Sequence, residues 1–177
     1  MRIIGGRHRG RTFNLGKRFK HRPTTDIAKE GLFNILQNRV DFDKLNILDL
    51  FAGTGNISFE FASRGCEDVT AVELSFQHYR IIQDIAKELE EKAVKPIKAD
   101  AFKFCEKTEK VFDIIFADPP YNHKRFREIP DLILSSNILN PNGLFILEHS
   151  KDYDFSDREE YTETRKYGSV HFSFFTV

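Results

Sequence analysis

The sequence predicts an α/β fold: a mostly parallel, seven-stranded sheet with helices on both faces and a C-terminal antiparallel hairpin. Two observations carry this. From Leu45 onward, short apolar runs alternate with amphipathic stretches, giving four successive strand–helix units. After a fifth strand, the tail offers two runs, Tyr161–Tyr167 and Val170–Val177, separated by Gly168-Ser169, as a hairpin requires.

The strands are expected at Leu45–Leu50, Val69–Val72, Val94–Lys98, Val111–Ala117 and Gly143–Glu148, followed by the two hairpin strands. The helices between them are expected from Asn56 to about Arg64, Ser75 to about Lys92, a short one through Cys105, and about Arg125–Leu134. Ahead of this core, Thr24 or Thr25 caps a helix whose apolar face is Ile27, Leu32, Phe33, Ile35 and Leu36, ending near Val40. Residues 1–22 carry two short alternating pieces around a Gly/Arg turn and read as a basic hairpin arm. The expected organisation is one domain over 1–177: arm 1–22, helix 23–40, core 45–177.

Composition bounds the function. With 40% hydrophobic and 31% charged residues, the 177-residue chain reads as a globular protein, and no apolar run approaches the ~18 residues of a membrane span. The first residues lack the apolar segment of a secretory signal, so a cytoplasmic location is expected. Cys66 and Cys105 fit no zinc or CxxC spacing and read as reduced structural thiols, and the six scattered histidines suggest no metal site. Net charge is zero, but residues 1–30 hold nine Lys/Arg against two acids, leaving +7 there and −7 elsewhere. Such a split presents a basic face to a polyanion, and Arg2, Arg7, Arg9, Arg11, Arg22 and Thr24 are the candidate RNA contacts.

The candidate chemistry lies at strand ends. Asp49, Glu73, Asp100 and Asp118 each stand at or just beyond the end of a predicted strand, at intervals of 24, 27 and 18 residues. In an open parallel sheet those ends share the edge where ligands bind. Gly53-Thr54-Gly55 lets the backbone approach a ligand at a helix N-terminus, and Glu73 follows Gly55 by 18 residues, near the ~20 expected of an acid that holds ribose hydroxyls. An adenosine-type cofactor follows. Ser58 stands where the NAD fingerprint wants a third glycine, which favours S-adenosylmethionine over NAD. Asp100 suits the adenine amine.

Asp118-Pro119-Pro120-Tyr121 closes a buried strand with an acid, carbonyls fixed by two prolines, and a ring. That combination suits a planar, amine-bearing substrate.

At these residues the core resembles class I S-adenosylmethionine-dependent methyltransferases of Rossmann-like fold, whose amine-methylating members carry (Asp/Asn/Ser)-Pro-Pro-(Tyr/Phe/Trp). With Arg2-Ile3-Ile4-Gly5-Gly6, Arg9-Gly10-Arg11, Arg22-Pro23-Thr24, Asp26, Glu30, Phe33-Asn34, Leu48-Asp49-Leu50-Phe51-Ala52-Gly53, Gly55 and Ser63-Arg64-Gly65, the chain is similar to the RsmD-type 16S rRNA (guanine-N2)-methyltransferases over about residues 1–150.

The resemblance implies that Asp118 and a prolyl carbonyl of Pro119-Pro120 accept from the guanine amine and that Tyr121 stacks on the base. It places the cofactor at Asp49, Phe51, Gly53, Gly55, Glu73, Leu74, Asp100 and Ala101. The implied partner is 16S rRNA or an assembling small ribosomal subunit, met by a monomer without membrane or metal. Lys29 departs from the usual Arg, Thr54 from a common Ser, and Asn56-Ile57-Ser58 from a smaller, Gly-containing run. An adenine-N6 methyltransferase shares the four-residue motif, and a catalytically inactive RNA-binding or ribosome-assembly module shares the arm; both stay open at this point.

Overall fold

The computed structural model describes residues 1–15 and 25–177. In chain order the elements are α1 (Asp26–Leu36), β1 (Asn46–Leu50), α2 (Asn56–Ser63), β2 (Asp68–Glu73), α3 (Phe76–Glu88), β3 (Val94–Lys98), α4 (Ala101–Lys107), β4 (Phe112–Ala117), α5 (Ile129–Leu134), β5 (Leu139–His149), β6 (Tyr161–Tyr167) and β7 (Val170–Thr176). The sheet has seven strands in the order β3-β2-β1-β4-β5-β7-β6. The first five are parallel, and β7 runs antiparallel between β5 and β6. The expected α/β architecture and terminal hairpin are present.

The central strands are near-continuous apolar runs because helices cover both faces. One face packs Ile47, Ala71, Ile114, Phe116, Ile146 and Phe172 against α1, α2, α3 and the N-terminal arm. The other packs Leu48, Leu50, Ile115, Phe145 and Leu147 against α4 and α5. Strand order reverses between β1 and β4, and the crevice beyond their C-terminal ends lies between the helices of the two faces.

Several boundaries differ from expectation. The helix expected to reach Lys92 stops at Glu88, where Glu90 takes a left-handed φ of 52°. The amide of Glu90 then donates to Lys87 O at 3.2 Å and that of Glu91 to Ala86 O at 2.8 Å, a Schellman cap. The helix expected to begin near Arg125 starts as a 3-10 turn, Phe126–Glu128, and becomes α-helical only at Ile129, with Pro130 in its first turn. The fifth strand is longer than expected and carries a register shift opposite Phe112 and Ile114. α1 ends at Leu36, once Gln37, Asn38 and Arg39 offer no further apolar face.

The arm is a minimal hairpin, bridged at Arg2 and Thr12, with Ile3 and Phe13 buried in the core. It is fastened to the end of α2: Arg7 N donates to Ser63 O at 2.7 Å, His8 N to Ser63 Oγ at 2.9 Å, and Ser63 Oγ to Gly5 O at 2.6 Å. Gly6 adopts φ +70°, and a Cβ there would lie 1.8 Å from Ser63 O, so only glycine allows this seat. Beneath the arm Lys29 is fully buried. Its Nζ donates to Arg2 O at 2.6 Å and Asn56 Oδ1 at 2.8 Å, and lies 3.5 Å from Glu60 Oε2. Glu60 also accepts from Ile4 N and Arg64 Nε, both at 3.0 Å. One buried polar network therefore joins the arm, α1 and α2.

The two sheet edges differ from the interior. β3 reads Val-Lys-Pro-Ile-Lys and β6 reads Tyr-Thr-Glu-Thr-Arg-Lys-Tyr, both with exposed charged side chains. Among the described residues no helix is long and apolar enough to cross a membrane.

Candidate active site

Beyond the C-terminal ends of β1, β2 and β4 lies a cavity of about 1020 Å³. Its floor begins with β1, whose last residues lead into Phe51, at φ 61°, and then the glycine turn. Gly55, at φ +81°, caps α2; a Cβ there would meet Phe59 at 2.8 Å and Ile82 at 3.3 Å, so the turn packs directly on the helices behind it. Glu73 ends β2 and fastens this turn: its Oε2 accepts from Gly53 N at 2.8 Å and its Oε1 from Ser75 N at 2.7 Å. His78 Nδ1 lies 3.7 Å from the same carboxylate. Asp100 caps α4 by accepting from Lys103 N at 3.0 Å. With Leu74, Ala99 and Ala101, these residues make one end of the cavity.

Asp118 follows β4, its amide donating to Leu50 O at 3.3 Å, and its half-buried side chain joins Pro119, Pro120 and Tyr121 at the other end. Tyr121 is held through both its side chain and its backbone. Its hydroxyl donates to Glu148 Oε1 at 3.2 Å, and its carbonyl accepts from Tyr153 Oη at 2.7 Å. His123 folds back with its amide on Pro120 O at 2.8 Å and its ring stacked 5.5 Å from Phe102.

The electrostatics are those of carboxyls wholly or partly withdrawn from water. Burial pushes Asp49 up to about 7, against the Ser58 hydroxyl that donates to it at 2.5 Å, and the charge of Glu73 adds to the rise. Asp118 is raised well above the ordinary carboxylate range, first by burial, then by the charges of Glu148 and Asp49. Strongly perturbed acids in a cleft are a mark of functional sites.

Asp49, Phe51, Gly53, Glu73, Leu74, Asp100, Ala101, Asp118, Pro119, Pro120 and Tyr121 all line this cavity. Gly55 stands just behind its wall. The arm reaches the cavity through Met1, Phe13, Asn14 and Leu15. Arg2, Arg7, Arg9 and Arg11 are not among its lining residues. Three of them pair with acids on the protein: Arg2 with Asp26 at 3.0 Å, Arg7 with Glu91 at 2.5 Å and Arg11 with Glu88 at 2.8 Å. Arg22 and Thr24 lie outside the described residues. Among the lining residues that the sequence did not mark as site residues are Asn56, His78, His123 and Glu148. Glu148 ends the strand expected from sequence at Gly143–Glu148 and so carried the same positional signal as Asp118; the histidines and Asn56 carried none. Among the described residues, no group of three His, Cys, Asp or Glu is arranged to hold a metal ion.

Comparison with known proteins bears on this arrangement. The family model described as conserved hypothetical protein 95 matches residues 1–176. Ribosomal RNA small subunit methyltransferase D of Haemophilus influenzae is 32% identical, over 92% of this chain and 85% of its own length. A hypothetical protein of Thermus thermophilus shares the fold at a TM-score of 0.88, with 24% identity over 100% of this chain and 99% of that one. The T. thermophilus 16S rRNA N2 G1207 methyltransferase, solved with AdoMet and guanosine, shares it at a TM-score of 0.69, with 22% identity over 90% of this chain and 44% of that one. The match across nearly the whole sequence, and the kinship with methyltransferase D, mean that this chain belongs to the conserved hypothetical protein 95 family, the RsmD-type methyltransferases.

Proposed function

We propose that the protein is an S-adenosylmethionine-dependent methyltransferase that modifies the exocyclic N2 amine of a guanine in 16S rRNA, acting in the cytoplasm. The observation that carries this reading is the convergence of Glu73, Asp100 and Asp118, from separate strand ends, on one cavity of about 1020 Å³. The cavity suits the cofactor. Glu73 offers a carboxylate to ribose hydroxyls, Asp100 an acceptor for the adenine amine, and the Gly53 to Gly55 turn a close backbone approach. S-adenosylmethionine supplies an electrophilic methyl group on a sulfonium.

The protein's own residues do the rest. A guanine amine is a poor nucleophile because its lone pair is delocalised into the ring. Asp118 and the Pro119 carbonyl accept its hydrogens, draw the nitrogen toward a tetrahedral shape and aim the lone pair at the methyl group. Tyr121 stacks on the base. Holding nucleophile and methyl in near-attack geometry is worth up to ~7–11 kcal/mol. As the N–C bond forms and the C–S bond breaks, the amine loses a proton. Asp118, raised in pKa by its burial, receives it more readily than a solvated carboxylate would.

The base must leave its stack to enter, so an exposed or bulged nucleotide is the cheaper target. The arm supports contact with the RNA backbone. Although paired, the side chains of Arg2, Arg7 and Arg11 keep 57%, 55% and 48% of their surface exposed and remain accessible to phosphates. The test is incubation of labelled cofactor with small ribosomal subunits lacking the modification, followed by nucleoside analysis. N2-methylguanosine is expected, and N6-methyladenosine overturns the reading.

A further inference from the structure

Glu148 has no role in the reaction as described so far, yet its position is built. Ala117 of β4 pairs with Leu147 of β5, so Asp118 and Glu148 are the next residues along two neighbouring parallel strands. Both line the cavity. Glu148 is 4% exposed, and Tyr121 Oη donates to its Oε1 at 3.2 Å, which fixes the direction of the carboxylate. A carboxylate's two oxygens offer roughly four acceptor sites, so this one can accept from more than one donor. Two carboxyl groups at adjacent strand ends suit a ligand that presents two N–H donors side by side.

The Watson–Crick edge of guanine presents such donors side by side, the N2 amine and N1–H. Adenine presents its N6 amine beside an N1 lone pair. We infer that Glu148 is the specificity-determining residue of this site: its carboxylate accepts the guanine N1–H while Asp118 accepts from the N2 amine. This rests on the guanine reading given above and deepens it, because the Asp-Pro-Pro-Tyr motif by itself serves either amine. Against adenine, the Glu148 carboxylate faces a lone pair and both acceptors go unpaired, the condition under which a polar site rejects an analogue strongly.

The test uses 2-aminopurine, which keeps the amine at C2 but has a lone pair at N1 in place of N1–H. Product analysis first maps the methylated nucleotide. Small subunits are then reconstituted with 16S rRNA carrying guanosine or 2-aminopurine there. The wild-type protein is expected to methylate guanosine at least about tenfold faster, the discrimination typical of a good hydrogen-bonded base contact. Glu148→Gln, whose amide both accepts and donates, is expected to bring the two rates within about threefold of each other, with S-adenosylmethionine affinity by calorimetry also within about threefold of wild type. Tyr121→Phe removes the hydroxyl but keeps the carboxylate, so it is expected to slow the reaction and preserve the wild-type ratio. A ratio near one in the wild-type protein, or an unchanged ratio in Glu148→Gln, overturns the assignment. If N2-methylguanosine forms but the ratio behaves that way, only the role of Glu148 is lost; N6-methyladenosine as the product overturns both readings.

Discussion

Asp49 is an acid among the buried Ile47, Leu48 and Leu50 of β1, with the Ser58 hydroxyl as its partner. Between 3.8, its ordinary value, and about 7, the unfolded chain has given up this proton while the folded chain keeps it. Its contribution to stability therefore falls as pH rises through that window and levels off above it. Asp49→Asn removes the falling contribution, so the urea midpoint of the variant should gain on wild type as pH rises across the window; a difference that does not change with pH would refute the assignment. Asp118 makes a separate prediction. Asp118→Ala should lower the methylation rate by roughly 3 kcal/mol of transition-state stabilisation, by analogy with removal of one preorganised polar group. Calorimetry should find S-adenosylmethionine affinity within a few fold of wild type, and equal loss of binding and rate would contradict the role given to this side chain. At this scale the site was legible where position and residue type coincide. An acid at the end of a predicted strand marked Asp49, Glu73, Asp100 and Asp118, and the prolines singled out the last of them. Glu148 stood at such an end too, but its partnership with Asp118 depends on β5 lying beside β4, which a linear sequence does not display.

The helices and strands were recognisable by period, since 3.6-residue and continuous apolar patterns are written in side chains. Their ends were not, because caps are made by backbone conformation. α3 stops in a Schellman cap whose left-handed residue is Glu90, so the glycine that normally announces such a stop is missing. The arm was recognisable as a hairpin with apolar residues to dock, but its fastening to Ser63 joins segments more than fifty residues apart. Lys29 likewise joins residues far from it in sequence. Met at this position would leave Glu60 with the Ile4 amide and Arg64 as partners but without its buried cation. Lys29→Met should cost about 3 kcal/mol in urea unfolding, near the low end for breaking a buried pair. Limited proteolysis should also find residues 1–15 cut faster, whereas stability and arm protection equal to wild type would show that the network does not hold the arm.

For the molecule as a whole, the opposed charge of residues 1–30 and of the remainder acquires a structural meaning. Part of the arm's positive charge is paired with Asp26, Glu88 and Glu91 while its arginines stay exposed, so the arm is both a packed element and a phosphate-facing one. Glu88 is exposed, and Glu88→Gln releases Arg11 without opening the core. The variant should bind 16S rRNA more tightly than wild type at low salt, with the advantage vanishing as salt rises, because released guanidinium contributes through counterion exchange at phosphates. Fluorescence anisotropy across a salt series measures this, and equal affinities at low salt would refute it. The margins of the sheet bear on a different risk. Pro96 offers β3 no amide hydrogen at its centre, and lysines flank it, while β6 presents Glu163, Arg165 and Lys166 along the opposite margin. Neither border is a template on which a second chain could extend the ladder, so crowding of newly made copies need not seed fibres.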